Sequence, residues 1–427
     1  MPTVSDNTTQ KINRKALALI FVANATSGFA QGISMLAIPW YFAQQEESGT
    51  FNFYYAIITF LTLIWSPNAG AIVDRFNRKK VFLLTNISEG FVIGVIALVG
   101  FYFSSLPQEA ILLVFLVTIL GYHIHYPNLY AFAQEITPKE SYTSVASTLE
   151  VVGQSTSVAS GILGAILLEG AVYQFDFGWS GQVGIWELAI PKWEIWEIFA
   201  MDACTYGVSI LLISTLRYIP VVKKKVETGP LSKRLKTGLR FLYNHPYVFI
   251  YSFFAYAIFI NMLVMLHALL PSYVKFHLEG NGTLLGFHEL CNATGALMAG
   301  ILCKKLFEKL SLSTTMIILL LITSVSYLFL AFQSNNTLFL FIGFVIGFAN
   351  SGARIFRVTY VFDRVPNELI GRVNSVMTAG NTLMRGIFIS LFTLPFFVEE
   401  SVIYAYFVLA IFTLLASVVI WVNRKNF

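Results

Sequence analysis

The sequence predicts an all-helical integral membrane protein with twelve transmembrane helices in two six-helix repeats. Of its 427 residues, 56% are hydrophobic and only 12% are charged, whereas a soluble globular chain carries about 25% charged residues. A spanning helix takes about 20 apolar residues, so twelve of them need about 240. This composition excludes a soluble enzyme.

Apolar runs long enough to cross a bilayer occur twelve times along the chain. The first six predicted spans are residues 16–42, 52–73, 81–103, 110–133, 143–168 and 196–216. After a polar stretch, six more follow at residues 246–270, 283–303, 313–332, 337–362, 373–395 and 401–422. An even number of spans places both termini on the same side of the membrane.

The positive charges indicate which side that is. Most of the 28 Lys and Arg residues lie at the two termini, in the centre and in the loops that share their side. The opposite loops hold only Lys192 and Lys275. Because positive charge accumulates in cytoplasmic segments, we predict a multi-pass cell-membrane protein with both termini in the cytoplasm.

Residues 217–245 separate an N-terminal half, 1–216, from a C-terminal half, 246–427. Leucines recur there at helical spacing among basic residues, which predicts an amphipathic cytoplasmic helix or a solvated linker attracted to anionic lipid. The halves resemble each other after their fourth spans, where five positions of the first half match five positions of the second at one constant shift along the sequence. The first set is Glu135, Pro138, Glu140, Val145 and Ser147, and the second is Asp363, Pro366, Glu368, Val373 and Ser375. Paired six-span repeats are typical of secondary transporters and argue against a channel or a membrane enzyme.

The loop after the second span combines a glycine, an acid and a cluster of cations. These residues are Gly70, Asp74, Arg75, Arg78 and Lys79. An acid at a helix end and cations in a short turn can pair with facing helix termini, so we predict a conformational latch. The alternative is a plain topology signal, which needs the cations but neither Gly70 nor Asp74. The loop resembles the signature loop of the major facilitator superfamily, and this resemblance implies that fold.

Three further stretches resemble the macrolide-efflux and enterobactin-exporter branch of that superfamily. They read GLRFLYNHP at 238–246, LPSYVK at 270–275 and VPNELIGRV at 365–373. The resemblance implies a bacterial inner-membrane protein that exports a small amphiphilic molecule, a drug or a siderophore-like compound, against entry of protons. Two alternatives stay open: uptake or facilitated diffusion of a nutrient or lipid, and a non-transporting receptor or assembly partner.

Ionisable residues inside the spans are the candidates for proton coupling. Each costs about 2.5–3.5 kcal/mol to insert and therefore needs a partner, a wet cavity or a proton. The candidates are Glu89, Glu150, Asp202, Glu289 and Arg385. A desolvated carboxyl group can bind and release a proton near neutral pH, which makes Glu89 and Glu150 the leading proton sites. The alternative is that each is a structural charge paired with Arg385 or Arg354.

Uncharged polar residues inside the spans are candidates for a substrate cavity. They are Asn24, Gln31, His123, Gln154, Asn350 and Asn381. His123 can relay a proton or simply bond to a neighbouring helix. The sequence has neither a nucleotide-binding motif nor metal-ligand spacing, so we predict no cofactor and no metal. We also expect a monomer without a nucleic-acid partner.

The loop at residues 169–195 is long for this architecture. It holds Trp179, Trp186 and Trp193, while its glycines and Pro191 argue against one regular helix. We predict an aromatic anchor at the membrane interface; a substrate gate is the alternative.

Overall fold

The computed structural model describes residues 14–137, 141–179, 182–216 and 231–427. This described part of the chain is almost entirely helical. Its first six long helices are α1 (Arg14–Gln44), α2 (Ser48–Arg75), α3 (Arg78–Phe103), α4 (Gln108–Glu135), α5 (Tyr142–Glu169) and α6 (Ile195–Thr215). Each closely follows one of the six spans predicted in the N-terminal half.

The second half begins with α7 (Leu231–Asn244), at the position of the predicted amphipathic helix; residues 217–230 lie outside the described part of the chain. The rest of the second half consists of one composite span and five long helices. The composite span is Pro246–His277, and the others are α11 (Gly282–Leu306), α12 (Leu312–Phe332), α13 (Asn336–Arg364), α14 (Asn367–Leu391) and α15 (Ile403–Asn423). Two short 3₁₀ turns, Pro395–Phe397 and Glu399–Val402, precede α15.

Side-chain caps mark where three of these helices start. Asn281, Ser311 and Asn335 accept hydrogen bonds from backbone N–H groups three residues later, at 3.1, 3.2 and 3.0 Å. A cap of this kind contributes about 1 kcal/mol. The chain therefore turns sharply into α11, α12 and α13 at positions that the sequence fixes locally.

The seventh span is longer than predicted and irregular. It contains α8 (Pro246–Ala255), α9 (Ala257–Val264) and α10 (Leu270–Ser272), with π-helical turns at Met265–Leu269 and Tyr273–His277. Pro271 lies between the π-helical turns and has no N–H to donate, so the regular hydrogen-bond ladder is interrupted around it. The helix continues seven residues past the predicted end at Leu270.

Ten of the described helices are long and apolar enough to cross a membrane. The remaining two long helices, α11 and α14, are of similar length, at 25 residues each, but more polar. Helix α3, one of the ten, shows how a spanning helix that contains polar residues can face lipid. Its exposed face is apolar, with Leu84, Phe91 and Leu98 at helical spacing, and its polar residues Asn86 and Glu89 are buried. This arrangement suits a lipid solvent and confirms the predicted multi-span helical fold.

The long loop after α5 forms an antiparallel β-hairpin, which the sequence analysis did not predict. Strand β1 (Ala171–Trp179) pairs with β2 (Gln182–Ile190), from Ala171 opposite Ile190 to Trp179 opposite Gln182. The expectation that no single helix spans the loop agrees with this hairpin. The all-helical description therefore needs this one correction, outside the spans.

By packing, the chain divides into two compact units. The first runs to Gln31, from Trp65 to Thr156 and from Phe199 to Thr228, and the second holds Gly32–Ile64, Ser157–Ile198 and Gly229–Phe427. Helices α1, α2 and α5 each contribute to both units, and the first four residues of α6 belong to the second unit while the rest belong to the first. Phe82, Leu129 and Phe132 are in the core of the first unit, and Tyr251 and Met316 are in the core of the second. The predicted division into sequence halves at 217–245 stays a prediction.

Candidate functional site

A chain of buried polar groups in the first unit centres on Glu89. Its side chain, on α3, is only 4% exposed. The Tyr206 hydroxyl, on α6, donates to Glu89 Oε2 at 2.5 Å. The Gln31 amide, on α1, in turn donates to the Tyr206 oxygen at 2.8 Å. Tyr206 therefore links α1 to the Glu89 carboxyl group on α3, which has no ion-pair partner among the described residues.

Two glycines make room for this arrangement. A Cβ at Gly121, on α4, would collide with the Glu89 carboxyl group, and a Cβ at Gly90 would come within 2.8 Å of Tyr206 Cβ. Only glycine allows α4 and α3 to lie so close to these side chains. A larger residue at either position would collide with the side chain of Glu89 or Tyr206.

A second polar contact joins α3 to α6 one turn away. Asn86 donates to the Ser209 hydroxyl at 2.8 Å. One turn beyond Tyr206 in the other direction lies Asp202, whose side chain is completely buried and interacts electrostatically with Glu89. The α3–α6 contact thus brings together two of the five predicted proton-coupling residues.

Tyr206 itself is a residue that the sequence analysis missed. Hydropathy counts tyrosine as part of an apolar run, so the run itself gave no reason to select it. One signal was present: Tyr206 follows Asp202 by four residues and so shares its helix face.

The predicted latch residues converge on Arg78, the first residue of α3. Its guanidinium lies 3.7 Å from Asp74 and 3.3 Å from Glu135, measured between nitrogen and carboxylate oxygen. Asn128 also donates to its backbone carbonyl at 3.0 Å. Arg78 is 7% exposed, and its charge lies between the largely buried Glu135 and the more exposed Asp74. Glu135 belongs to this cluster, although it was noted in the sequence only for the internal repeat.

Lys79, another of the predicted latch residues, contacts the end of α6. Its ammonium group donates to the carbonyls of Ser214 and Leu216 at 2.7 and 2.8 Å. A cation at the carbonyl end of a helix is favoured by the helix dipole. Arg75 is exposed, and a Cβ at Gly70 would have no atom within 4 Å. Among the predicted latch residues, Arg78 is therefore closely surrounded, whereas the space beside Gly70 is open.

The other candidates in the first unit occupy separate positions. His125 Nε2 lies 2.9 Å from the Asn24 side-chain oxygen, whereas His123 Nδ1 lies 2.9 Å from the Ile119 carbonyl of its own helix. Gln154 is half-buried on α5. Glu150 belongs to α5, and its side chain lies outside the part of the chain that the structure describes.

Four candidates lie in the second unit instead. Glu289 is half-buried, with Oε1 at 3.8 Å from His288 Nδ1. Arg385 is half-buried and interacts electrostatically with Tyr55 and His267. Asn381 is buried, and Asn350 is half-buried. The predicted set is thus divided between the two units.

Two contacts in the second unit join charged side chains to helix ends. The Lys275 ammonium donates to the last carbonyls of α1, Ala43 and Gln44, at 2.9 and 3.1 Å. The Glu169 carboxylate, at the end of α5, accepts from the Gly282 N–H at the start of α11, at 2.8 Å. A cation at a carbonyl end and an anion at an amino end both follow the helix dipole. Neither residue was predicted as functional.

Close helix packing accompanies these contacts. A Cβ at Gly161, on α5, would lie 3.0 Å from the Gly286 carbonyl of α11, and a Cβ at Gly164 would lie 3.0 Å from Leu36 of α1. Small residues allow helix backbones to approach to this distance in a membrane. The C-terminal parts of α1 and α5 are therefore tightly joined to the second unit's own helices.

Comparisons with known proteins agree on one family. The chain matches the family model of the Major Facilitator Superfamily over residues 20–389 and again over 269–426. It is similar to macrolide efflux protein A of Streptococcus pyogenes, with 21% identity over 286 residues, 66% of this chain and 64% of that protein. The match thus spans less than two-thirds of that relative's length. It is also similar to the multidrug efflux pump Tap of Mycolicibacterium fortuitum, with 23% identity over 367 residues, 85% of each chain.

The fold also matches solved structures. A mutant of the nucleoside transporter NupG superposes with a TM-score of 0.72 at 10% sequence identity, covering 95% of this chain and 99% of that one. At this identity the likeness concerns the fold alone. It supports the same arrangement of spanning helices that the sequence predicts.

Proposed function

The chain belongs to the Major Facilitator Superfamily, and on that premise we propose that it exports small amphiphilic molecules from the cytoplasm in exchange for protons. The family and the solved structure that resembles the chain are transporters. The prediction of a multi-pass membrane transporter rather than an enzyme is thereby confirmed. The substrate class, the direction of transport and the coupling ion belong to the proposal.

Relatives support the choice of export. Two proteins similar to the chain are named as efflux proteins, one for macrolides and one for several drugs. We extend that activity to this chain as a class of substrate, a drug-like amphiphile. The 39 Phe and 20 Tyr residues of the sequence offer aromatic surface for such a molecule.

The observation that carries the proposal is the buried Glu89–Tyr206–Gln31 chain. A carboxyl group in a dry helix bundle needs neutralisation, by a cation or by a proton. Since Glu89 has no ion pair in the described part of the chain, we assign the neutralising role to a proton. Tyr206 then donates its hydroxyl hydrogen to Glu89 when the carboxyl group is ionised, and Gln31 holds the tyrosine oxygen in place.

Asp202 gives the proton site its coupling to helix movement. It shares the α6 face with Tyr206 and interacts electrostatically with Glu89. Two carboxylates in one dry core repel each other, and a proton bound by either removes that repulsion. Binding and release of the proton therefore change the repulsion between α3 and α6. This change can drive the movement of these helices during alternating access.

We propose that two contacts form the outer gate: Lys275 of the seventh span with the end of α1, and Glu169 of α5 with the start of α11. Both contacts lie at helix ends opposite the N-terminus of α1, and the positive-charge distribution assigns the N-terminus to the cytoplasm. Both contacts are formed in this structure, and we interpret them as the closed form of the gate. Substrate release to the outside requires both contacts to separate, and the polar ends of α1 and α11 then become available to water.

The Arg78 cluster is proposed as the latch of the cytoplasmic side. Asp74 and Glu135 fix the guanidinium, and Lys79 fixes the end of α6. The open space beside Gly70 leaves a site where another helix can pack when the cytoplasmic side closes. In alternating access, the outer gate is then closed when the cytoplasmic side is open, and the latch holds the cytoplasmic side closed when the gate is open.

Drug accumulation in intact cells tests the proposal. Cells without their own pumps, with and without this protein, are given a panel of macrolides, other amphiphilic drugs and siderophore-like compounds. We expect accumulation of at least one compound to fall with the wild-type protein and to recover when a protonophore is added. Glu89→Gln should remove the effect, and Glu109→Gln, an exposed carboxylate on neighbouring α4, should preserve it.

Two outcomes contradict the proposal. A rise in accumulation of any compound indicates uptake, the alternative transport direction. Accumulation that falls equally with and without the protonophore leaves export standing and removes proton coupling.

A further inference from the structure

A cavity in the second unit is lined by polar residues that no part of the proposed transport mechanism uses. It has a volume of about 190 Å³ and lies between α8, α13 and α14. Its polar lining comes from Ser252, Tyr256, Arg357, Asn374 and Thr378, and apolar side chains complete the wall. Each of the helices thus contributes at least one hydrogen-bonding or charged group.

Arg357 is the dominant group of this cavity. It lies on α13, about two turns before the end of that helix at Arg364, and is 8% exposed. The face of its guanidinium stacks on the Tyr256 ring, with Cζ 3.6 Å from the ring centroid. One terminal nitrogen, Nη1, contacts the Ala255 carbonyl at 3.5 Å, which is a long hydrogen bond.

The charge of this arginine has no compensating anion in the described residues. The ion pairs found there involve Arg78, Lys275 and His288, and none includes Arg357. A guanidinium carries five N–H donors in one plane and is ionised at every physiological pH. The Tyr256 ring covers the face of that plane, so the donors at its edge stay available.

Ser252 provides an independent second observation. Its side chain is completely buried and lines the same cavity. Its hydroxyl has no hydrogen-bond partner in the part of the chain that the structure describes. A buried polar group normally has a partner, so this hydroxyl is free to bond to a group that enters the cavity.

We propose that this cavity binds an oxyanion, a carboxylate or phosphate group, held by the Arg357 guanidinium with help from the Ser252 hydroxyl. A guanidinium edge and an oxyanion match as two parallel hydrogen bonds, and Arg is favoured for this pairing over Lys. The cavity is smaller than the 300–1,000 Å³ or so of a drug-sized site. It therefore accommodates the charged group of a ligand rather than a complete amphiphile.

Binding is tested on the full-length protein purified in a neutral detergent. The unfolding midpoint is followed by tryptophan fluorescence in sodium phosphate, in sodium acetate and in sodium chloride at matched ionic strength. A second arm compares added phosphatidylglycerol with phosphatidylcholine. Stabilisation by phosphate or acetate over chloride identifies a soluble anion, and stabilisation by phosphatidylglycerol alone identifies a lipid headgroup.

Arg357→Gln and Arg354→Gln form a matched pair. Both remove one positive charge from α13, one turn apart, but Arg354 is exposed and is not part of the cavity lining. We expect Arg357→Gln to weaken binding of the stabilising probe by about tenfold or more, in line with loss of a bidentate charged contact. Arg354→Gln should leave the affinity for that probe unchanged. Equal loss in both variants, or no stabilisation of the wild type by any of the three probes, overturns the proposal.

Two milder variants keep the test decisive if Arg357→Gln does not fold. Arg357→Lys keeps the charge but removes the planar pair of donors, so binding should weaken while folding is preserved. Ser252→Ala removes only the hydroxyl, and we expect a smaller loss. Wild-type binding in both variants contradicts the assigned contacts.

Discussion

Replacing Lys275 by glutamine should loosen the proposed outer gate. The ammonium group of Lys275 holds the last two carbonyls of α1 at 2.9 and 3.1 Å and lies 3.8 Å from Glu46. Glutamine has a shorter side chain without charge, so it loses the interaction with the helix end. The fold itself should persist, because these contacts lie at the end of a long helix rather than in a core.

The size of the effect follows from these contacts. Hydrogen bonds to a charged group are worth about 1.5–3 kcal/mol when buried, and a charge at a helix end adds about 0.3–1 kcal/mol. The Lys275 side chain is 24% exposed and Glu46 is 69% exposed, so solvent screening reduces the sum and the ion pair adds little. We expect a net loss of about 1–2 kcal/mol from the closed state, or about a 5- to 30-fold rise in the open fraction.

Cysteine labelling measures that fraction. Ser160, on α5 beside Gly32 of α1, is 5% exposed in this structure, where the proposed gate contacts are formed. Ser160→Cys is introduced after Cys204 and Cys291 are replaced by serine, and cells are treated with a membrane-impermeant maleimide. The labelling rate should rise about 5- to 30-fold with Lys275→Gln, in proportion to the open fraction.

The matched control is Lys192→Gln, which removes an exposed lysine on the same side of the membrane by our topology. It should leave the labelling rate of Ser160→Cys unchanged. Glu169→Gln, which weakens the second gate contact, should raise it. An unchanged rate in Lys275→Gln, with normal expression, refutes the gate.

Three further changes test the latch and the proton site. Asp74→Asn removes one carboxylate from Arg78, so we expect slower turnover with substrate binding largely intact, measured as initial efflux rate against equilibrium drug binding. Tyr206→Phe removes the donor to Glu89 without changing the shape of the ring, so the pH dependence of efflux should move; an identical profile contradicts the assigned contact. Gly121→Ala forces a methyl group against the Glu89 carboxyl group, and overpacking of this kind costs about 1–3 kcal/mol; we expect a lower unfolding midpoint that Glu89→Ala restores.

The sequence predicts the spanning helices well because length and apolar content are local properties. Even the starts of α11, α12 and α13 are encoded locally, by the capping residues Asn281, Ser311 and Asn335. The seventh span was predicted too short because hydropathy falls after Leu270. Its extension depends on π-helical turns around Pro271, which a count of apolar residues does not detect.

The hairpin at Ala171–Ile190 was missed for a different reason. Residues 173–177 read Tyr-Gln-Phe-Asp-Phe, an alternation of apolar and polar residues that is typical of a strand. The search for spans considered only long apolar runs and did not test that two-residue period. The strand signal was therefore present in the sequence.

The contacts of the candidate site could not be read from the sequence. Glu89 was selected because it is charged inside an apolar run, which is a local signal. Tyr206, Glu135 and Arg357 gain their interest from partners on other helices, and spacing along one helix does not give the neighbours of another. The assigned roles of the selected residues stay predictions until the variants are measured.

Proton movement in everted membrane vesicles tests the central claim most directly. Respiration acidifies the vesicle lumen, and the quenching of a pH-sensitive dye reports that gradient. When a compound whose accumulation the protein lowers in cells is added, exchange for protons should carry protons out of the lumen and restore fluorescence with the wild-type protein, but not with Glu89→Gln. If the fluorescence stays quenched with the wild type, or recovers equally with Glu89→Gln, then export does not use a proton at Glu89.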